Sequence, residues 1–146
     1  MKTIRLILIV ISLLFSQQFL SNTAQAAART PKTKDVSIPT NQDRFQPFGI
    51  TIHAGDSVRW VNKDGEEHVI KSDDFFNTVA EKRIDHFLVG TGANNGVPGT
   101  FTLQFRKPGL FIYYCSIHAE LNSVHQPISK MGGDSAPMMG VVSVIP

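Results

Sequence analysis

Five histidines, four methionines and one cysteine are the side chains of this 146-residue sequence best suited to hold a metal or attack a substrate. Cys115 and His118 form a Cys-x-x-His pair. His68 follows an acidic turn, and Met131, Met138 and Met139 gather near the C-terminus. A single cysteine excludes an intrachain disulfide. A lone thiol can be buried and inert, pair between chains, or bind a metal as thiolate. A Cys–His nucleophile is the catalytic alternative, and it needs an accessible thiolate beside a base. Two imidazoles, one thiolate and one thioether make a soft, unsymmetrical donor set. Zinc favours four strong ligands, whereas His₂Cys with a weak axial methionine suits copper alternating between Cu(I) and Cu(II).

Such donors need a frame, and the frame reads as β-structure. Val36 to Ile38, Ile50 to His53, Ser57 to Val61, His68 to Ile70, Phe101 to Phe105, Leu110 to Cys115 and Val141 to Ile145 have the character of short strands. Turns such as Ala54-Gly55-Asp56 and Lys107-Pro108-Gly109 separate them. Six or more such strands in one small domain predict an all-β sandwich or barrel. Alternation puts Phe111, Tyr113 and Cys115 on the inward face, with Ile112 and Tyr114 outward. A buried Cys115 argues against a nucleophile. His118 begins the loop beyond that strand, His68 opens another strand after the Asn62–Glu67 turn segment, and Met138 precedes the closing one. Phe76, Ala80, Ile84 and Phe87 recur at helical spacing, which predicts one short helix near 77–88. The stretch "GTGANNGVPG" reads as a loop.

The N-terminus has the form of a secretory signal. Two basic residues precede a largely apolar run, Leu6 to Phe15, and Ala24-Gln25-Ala26 supplies a small-x-small cleavage site. The run is too short to span a membrane, which takes about 20 residues. The expected layout is a signal over 1–26, a loose arm over 27–34 and one domain over 35–146. Cleavage would remove Lys2 and Arg5 from fourteen basic residues and none of the twelve acidic ones. The mature chain would be near neutral, which gives no footing for a nucleic-acid partner.

Over most of residues 34–146 the chain resembles the cupredoxins, or blue copper proteins, in their plastocyanin-like branch. "ITIHAGDSVRWVNKDGEEHVI" is similar to the family's segment ending in the first histidine ligand. "GLFIYYCSIH" is similar to its Tyr-x-Cys-x-x-His segment, and "MMGVVSV" to its Met-x-Gly-x-Val ending. The resemblance implies a Greek-key sandwich of about eight strands, one type 1 copper ion and one-electron transfer between redox partner proteins. It implies His68, Cys115 and His118 as strong ligands and Met138 as the weak axial one. Met138 is preferred to Met131 and Met139 because Gly140 and the closing strand fit the motif. Two features depart from the family. Residues 119–137 make an unusually long connection between the second histidine and the methionine, and Glu67 stands where many relatives carry proline. The expected protein is a periplasmic monomer, not an enzyme and not inserted in a membrane. Copper trafficking or storage without a redox partner is the alternative. Docking on an oxidoreductase through 119–137 is a third reading.

The remaining candidates have plainer explanations. His53 reads as a solvated strand residue and His86 as the polar side of the predicted helix. His125 reads as a loop residue without a role, with a second metal or docking contact as its sharper alternative. Tyr114 reads as surface packing, with a partner-facing electron route as the family-based alternative. Asp64, Glu66, Glu67, Asp73 and Asp74 give the surroundings of His68 an acidic bias, explained by turn solvation unless a cationic partner uses it. A trinuclear or dinuclear copper centre would need further histidine pairs or a second cysteine, and neither is present.

Overall fold

Strict alternation of side chains builds the layers. In the segment Ser57–Asn62, Val58, Trp60 and Asn62 are buried while Arg59 is exposed, the signature of a strand with one face on a core. The computed structural model describes residues 29–75, 78–79, 84–131 and 135–146. They contain ten strands: β1 (Thr33–Ile38), β2 (Gly49–His53), β3 (Ser57–Asn62), β4 (His68–Ser72), β5 (Ile84–Leu88), β6 (Gly99–Gln104), β7 (Gly109–Tyr114), β8 (Ala119–Leu121), β9 (Pro127–Ser129) and β10 (Met139–Ile145). Eight of these form two sheets, ordered β1-β3-β6 and β2-β10-β7-β4-β5, and β8 pairs only with β9. The sheets meet through one apolar core. Val36, Ile38, Val58 and Trp60 come from the first layer; Ile52, Ile70, Phe111, Tyr113, Val142 and Val144 come from the second. Trp60 packs edge-on to Tyr113, with ring centroids 5.2 Å apart. Each fully buried side chain of this size contributes about 2–3 kcal/mol of transfer free energy.

The all-β architecture agrees with the sequence reading, and two details differ. No helix occurs among the described residues. Ile84 to Leu88, within the predicted helix near 77–88, forms β5 and pairs with β4 from Ser72↔Ile84 to His68↔Leu88; most of the rest of that prediction lies outside the described residues. The misreading has a simple cause. Ile84 and Leu88 lie four apart and share a face in a helix and in a strand alike. The residues between them invert the usual pattern: Phe87 is 59% exposed, while the polar His86 stacks on Phe101 of the opposite sheet at 4.0 Å. His86 therefore bridges the two layers.

The second difference concerns the ends of the arm and the insertion. β1 starts at Thr33, inside the stretch expected to be a loose arm, because Lys32 N–H donates to Asp56 Oδ1 at 2.6 Å and β1 pairs alongside β3. The long 119–137 connection contains the β8–β9 hairpin, additional to the eight sandwich strands. The expected signal over 1–26 lies outside the described residues. No helix among the described residues is long and apolar enough to cross a membrane.

Candidate metal centre

At one end of the sandwich, β4 and β7 share a single ladder pair, Lys71↔Tyr114. Near this opening Val69 N–H donates to Cys115 Sγ at 3.3 Å. Cys115 follows β7 on the inward face, as alternation from Phe111 and Tyr113 predicts, and all three are fully buried. Its own N–H donates to Met138 O at 2.9 Å.

His68, the first residue of β4, is also fully buried. Its Nδ1 lies 3.7 Å from Cys115 Sγ. The ring of His118 completes the group, with its centroid 5.2 Å from that of His68, and one donor atom from each residue falls within 4.8 Å of the others. His118 Nδ1 is buried without a hydrogen-bond partner. A buried polar atom left unsatisfied in a packed protein calls for an explanation, and a metal supplies one. The spacing fits as well. With metal–nitrogen bonds of about 2.0 Å and metal–sulfur of about 2.3 Å, as for zinc, a trigonal angle sets sulfur and nitrogen about 3.7 Å apart. The expected trio is therefore assembled, donor atoms facing one another.

Turn solvation accounts for the acidic residues before His68 in sequence terms, but the structure gives one of them a role at the site. Asp64 is buried and its Oδ2 lies 3.3 Å from His68 Nε2. Asp64 Oδ1 accepts N–H bonds from Asn41 at 2.9 Å and Gly65 at 2.7 Å. Burial works against its charge, but those two N–H groups and His68 outweigh it and hold the carboxyl below its ordinary range. Burial acts on His68 in the opposite sense, keeping the imidazole below the usual histidine range against the pull of Asp64. A neutral imidazole whose far nitrogen is tied to a carboxylate is a metal ligand with its tautomer fixed. The spacing Asp64–His68 across a turn was the available clue.

The loop read from "GTGANNGVPG" supports this turn. Thr91 N–H and Oγ1 both donate to Asp64 O at 2.8 Å, and a Cβ at Gly90 would stand 2.3 Å from Gly65 O. Buried Asn62 ties the same region together, donating to Glu66 O at 2.8 Å and accepting from Asp64 N at 3.0 Å. Asp43 is the second carboxylate nearby, with Oδ1 3.5 Å from His118 Nε2. Nothing in the local sequence around Asp43 signals that contact.

Of the methionines, Met138 is 2% exposed and belongs to the core, whereas Met131 is 68% exposed. Met139 opens β10 opposite Tyr114. Tyr114 corrects an expectation: it points away from the sandwich core, yet it is buried beneath the insertion, in a groove that Leu121, Val124 and His125 help to line. His125 is not brought to the metal donors; its Nδ1 lies 3.8 Å from Asp73 Oδ2, with both side chains well exposed. His53 is exposed.

Comparison with known proteins agrees with this geometry. Residues 32–124 match the model of the copper binding proteins, plastocyanin/azurin family, a span that includes His68, Cys115 and His118 and stops short of Met138. Among solved structures the chain is similar to amicyanin from Paracoccus versutus, at 20% identity over 83% of this chain and 86% of that one, with a TM-score of 0.50. It is also similar to a purple cupredoxin from Nitrosopumilus maritimus, at 22% identity over 75% of this chain and 97% of that one, again with a TM-score of 0.50. A reduced amicyanin variant aligns at 17% identity over 83% of this chain and 87% of that one, with a TM-score of 0.51. At these identities the structural likeness speaks to the fold alone.

Proposed function

The chain belongs to the plastocyanin/azurin family of copper-binding proteins, the cupredoxins, and we propose that it is an electron carrier moving one electron at a time between redox proteins. One observation carries this reading: one donor atom from each of His68, Cys115 and His118 lies within 4.8 Å of the others, and His118 Nδ1 is buried without a hydrogen-bond partner. Bound copper supplies a Cu(I)/Cu(II) couple, which suits two imidazoles and a thiolate with a weak fourth ligand. Met138 is the proposed fourth ligand. Its burial and the bond from Cys115 N–H to its carbonyl support this choice, and exposed Met131 has neither feature.

The frame supports rapid exchange. His68 and Cys115 sit at strand ends, and the hydrogen bonds to Asp64 and from Val69 hold imidazole and sulfur. His118 is the one strong donor in contact with solvent, its side chain 11% exposed, and is the proposed exit for the electron. Full burial of Cys115 denies a substrate the access a nucleophile needs, which supports a carrier over an enzyme acting through this thiol. The signal-like sequence of residues 1–26 supports a periplasmic location.

Colour tests the reading. Mature protein loaded with Cu(II) is expected to absorb intensely in the visible through thiolate-to-copper charge transfer, and Cys115→Ser should bleach it. Among single replacements of Met131, Met138 and Met139, only that of Met138 should shift the spectrum and potential. A colourless protein that takes up and releases copper would sink electron transfer and favour trafficking.

A further inference from the structure

His118 differs from the other two donors in how it is held. His68 lies in a strand and Cys115 follows one directly, but His118 sits in a turn, where its N–H donates to Cys115 O at 3.1 Å. A ring in such a place could swing aside unless something else fastens it.

The long insertion supplies the fastening. In the β8–β9 hairpin, Leu121 pairs with Pro127, Glu120 with Ile128 and Ala119 with Ser129. One step further in that register sets Lys130 opposite His118, and there Lys130 N–H donates to His118 O at 3.0 Å. The Lys130 ammonium donates to Ser116 O at 2.7 Å. The hairpin thus grips the ligand turn at two carbonyls. On the opposite side of the residue, Asp43 Oδ1 faces His118 Nε2 at 3.5 Å. If Nδ1 held a metal, Nε2 would be the ring nitrogen left facing that carboxylate at ion-pair distance. Asp43 itself is anchored by its neighbours: Phe45 is buried against Tyr113 with ring centroids 4.8 Å apart, and Gln46 exchanges two 2.8 Å backbone bonds with Ser37.

We infer that Asp43 and Lys130 are positioning residues for His118, Asp43 fixing its ring and Lys130 the main chain that carries it, and that clamping this ligand is the task of the 119–131 hairpin. The inference rests on the copper reading above. It also explains how the chain accommodates so long a connection: the insertion is bonded back onto the ligand turn at its base.

The test uses copper-loaded mature protein and the variants Asp43→Ala, Lys130→Met and Lys130→Arg. The readouts are the number of imidazole nitrogens on Cu(I) by X-ray absorption, the reduction potential, and the rate of Cu(I) loss to a chelator. Wild type should keep two imidazoles. Asp43→Ala and Lys130→Met should each shift the potential and raise the rate of loss by roughly tenfold or more, with Asp43→Ala depleting one nitrogen. Lys130→Arg, which keeps a cationic donor, should restore most of the wild-type behaviour. Thermal unfolding of the copper-free proteins separates this from general loosening, since all four should melt within a few degrees of one another. Unchanged coordination, potential and loss rate in both Asp43→Ala and Lys130→Met would overturn the inference, as would a wild type that holds only one imidazole. An irreversible couple in a wild type with two imidazoles would instead sink the electron-transfer reading and leave the clamp standing.

Discussion

Asp64 shows how much of this site depends on a side chain that touches no metal. Its carboxylate holds His68 Nε2 at 3.3 Å while two backbone N–H groups hold the carboxylate. Removing its charge should therefore change the ligand's basicity and orientation together. Asp64→Asn is expected to weaken Cu(II) binding about 10–100-fold. The potential should rise, because an anion near the site favours the more positive oxidation state. Competition with a Cu(II) chelator and voltammetry check the two effects, and an unchanged affinity would mean that His68 is fixed by packing alone. At this scale the ligand trio was legible: Cys115 and His118 are three residues apart at a strand end, and His68 opens a strand. Asp64 was legible only as a charge in a turn, since composition does not reveal that Asn41 N–H, from another part of the chain, closes over it. Asp43 was not legible at all, being brought to His118 solely by tertiary packing.

Among the elements, the strands that carry donors obey simple alternation and could be read directly; β5 and the β8–β9 hairpin could not. β5 hides because His86 faces inward to stack on Phe101 while Phe87 faces out, so a polarity pattern misassigns it. The hairpin hides because its strands are three residues each, too short for periodicity to register. The loop after β5 has a similar concealed role, lying under the Asp64 turn so closely that Gly90 has no room for a side chain. Gly90→Ala would set a Cβ 2.3 Å from Gly65 O and 2.5 Å from Glu66 C, and backbone cannot yield as a flexible side chain does. The expected cost is about 1–3 kcal/mol, seen as a lower melting temperature of the copper-free protein. Because the displaced turn carries Asp64, copper affinity should fall as well. Loss of stability with full copper affinity would show that the turn and the ligand are not coupled.

For the whole molecule, the position of the donors relative to the core decides whether copper is needed for folding. The core is formed by side chains of both sheets, with Trp60, Phe105, Phe111 and Tyr113 among the largest and fully buried. The donors occupy one end, where β4 and β7 part. Small domains that fold only with metal lack such a core. Here the strand pairing and aromatic packing of the core come from residues outside the donor set. The copper-free protein should therefore be folded, with native far-ultraviolet circular dichroism. Copper should then add stability by mass action alone, about 4 kcal/mol when the free metal exceeds its dissociation constant a thousandfold. For a domain of this size that corresponds to a rise in melting temperature of about 10–20 °C. Stripping the metal with a chelator should reverse the rise, and Cys115→Ser should largely abolish it while leaving the copper-free fold intact. An unfolded copper-free protein would contradict the claim that the core comes first. It would mean that the ligand set, rather than the sandwich, organises this end of the molecule.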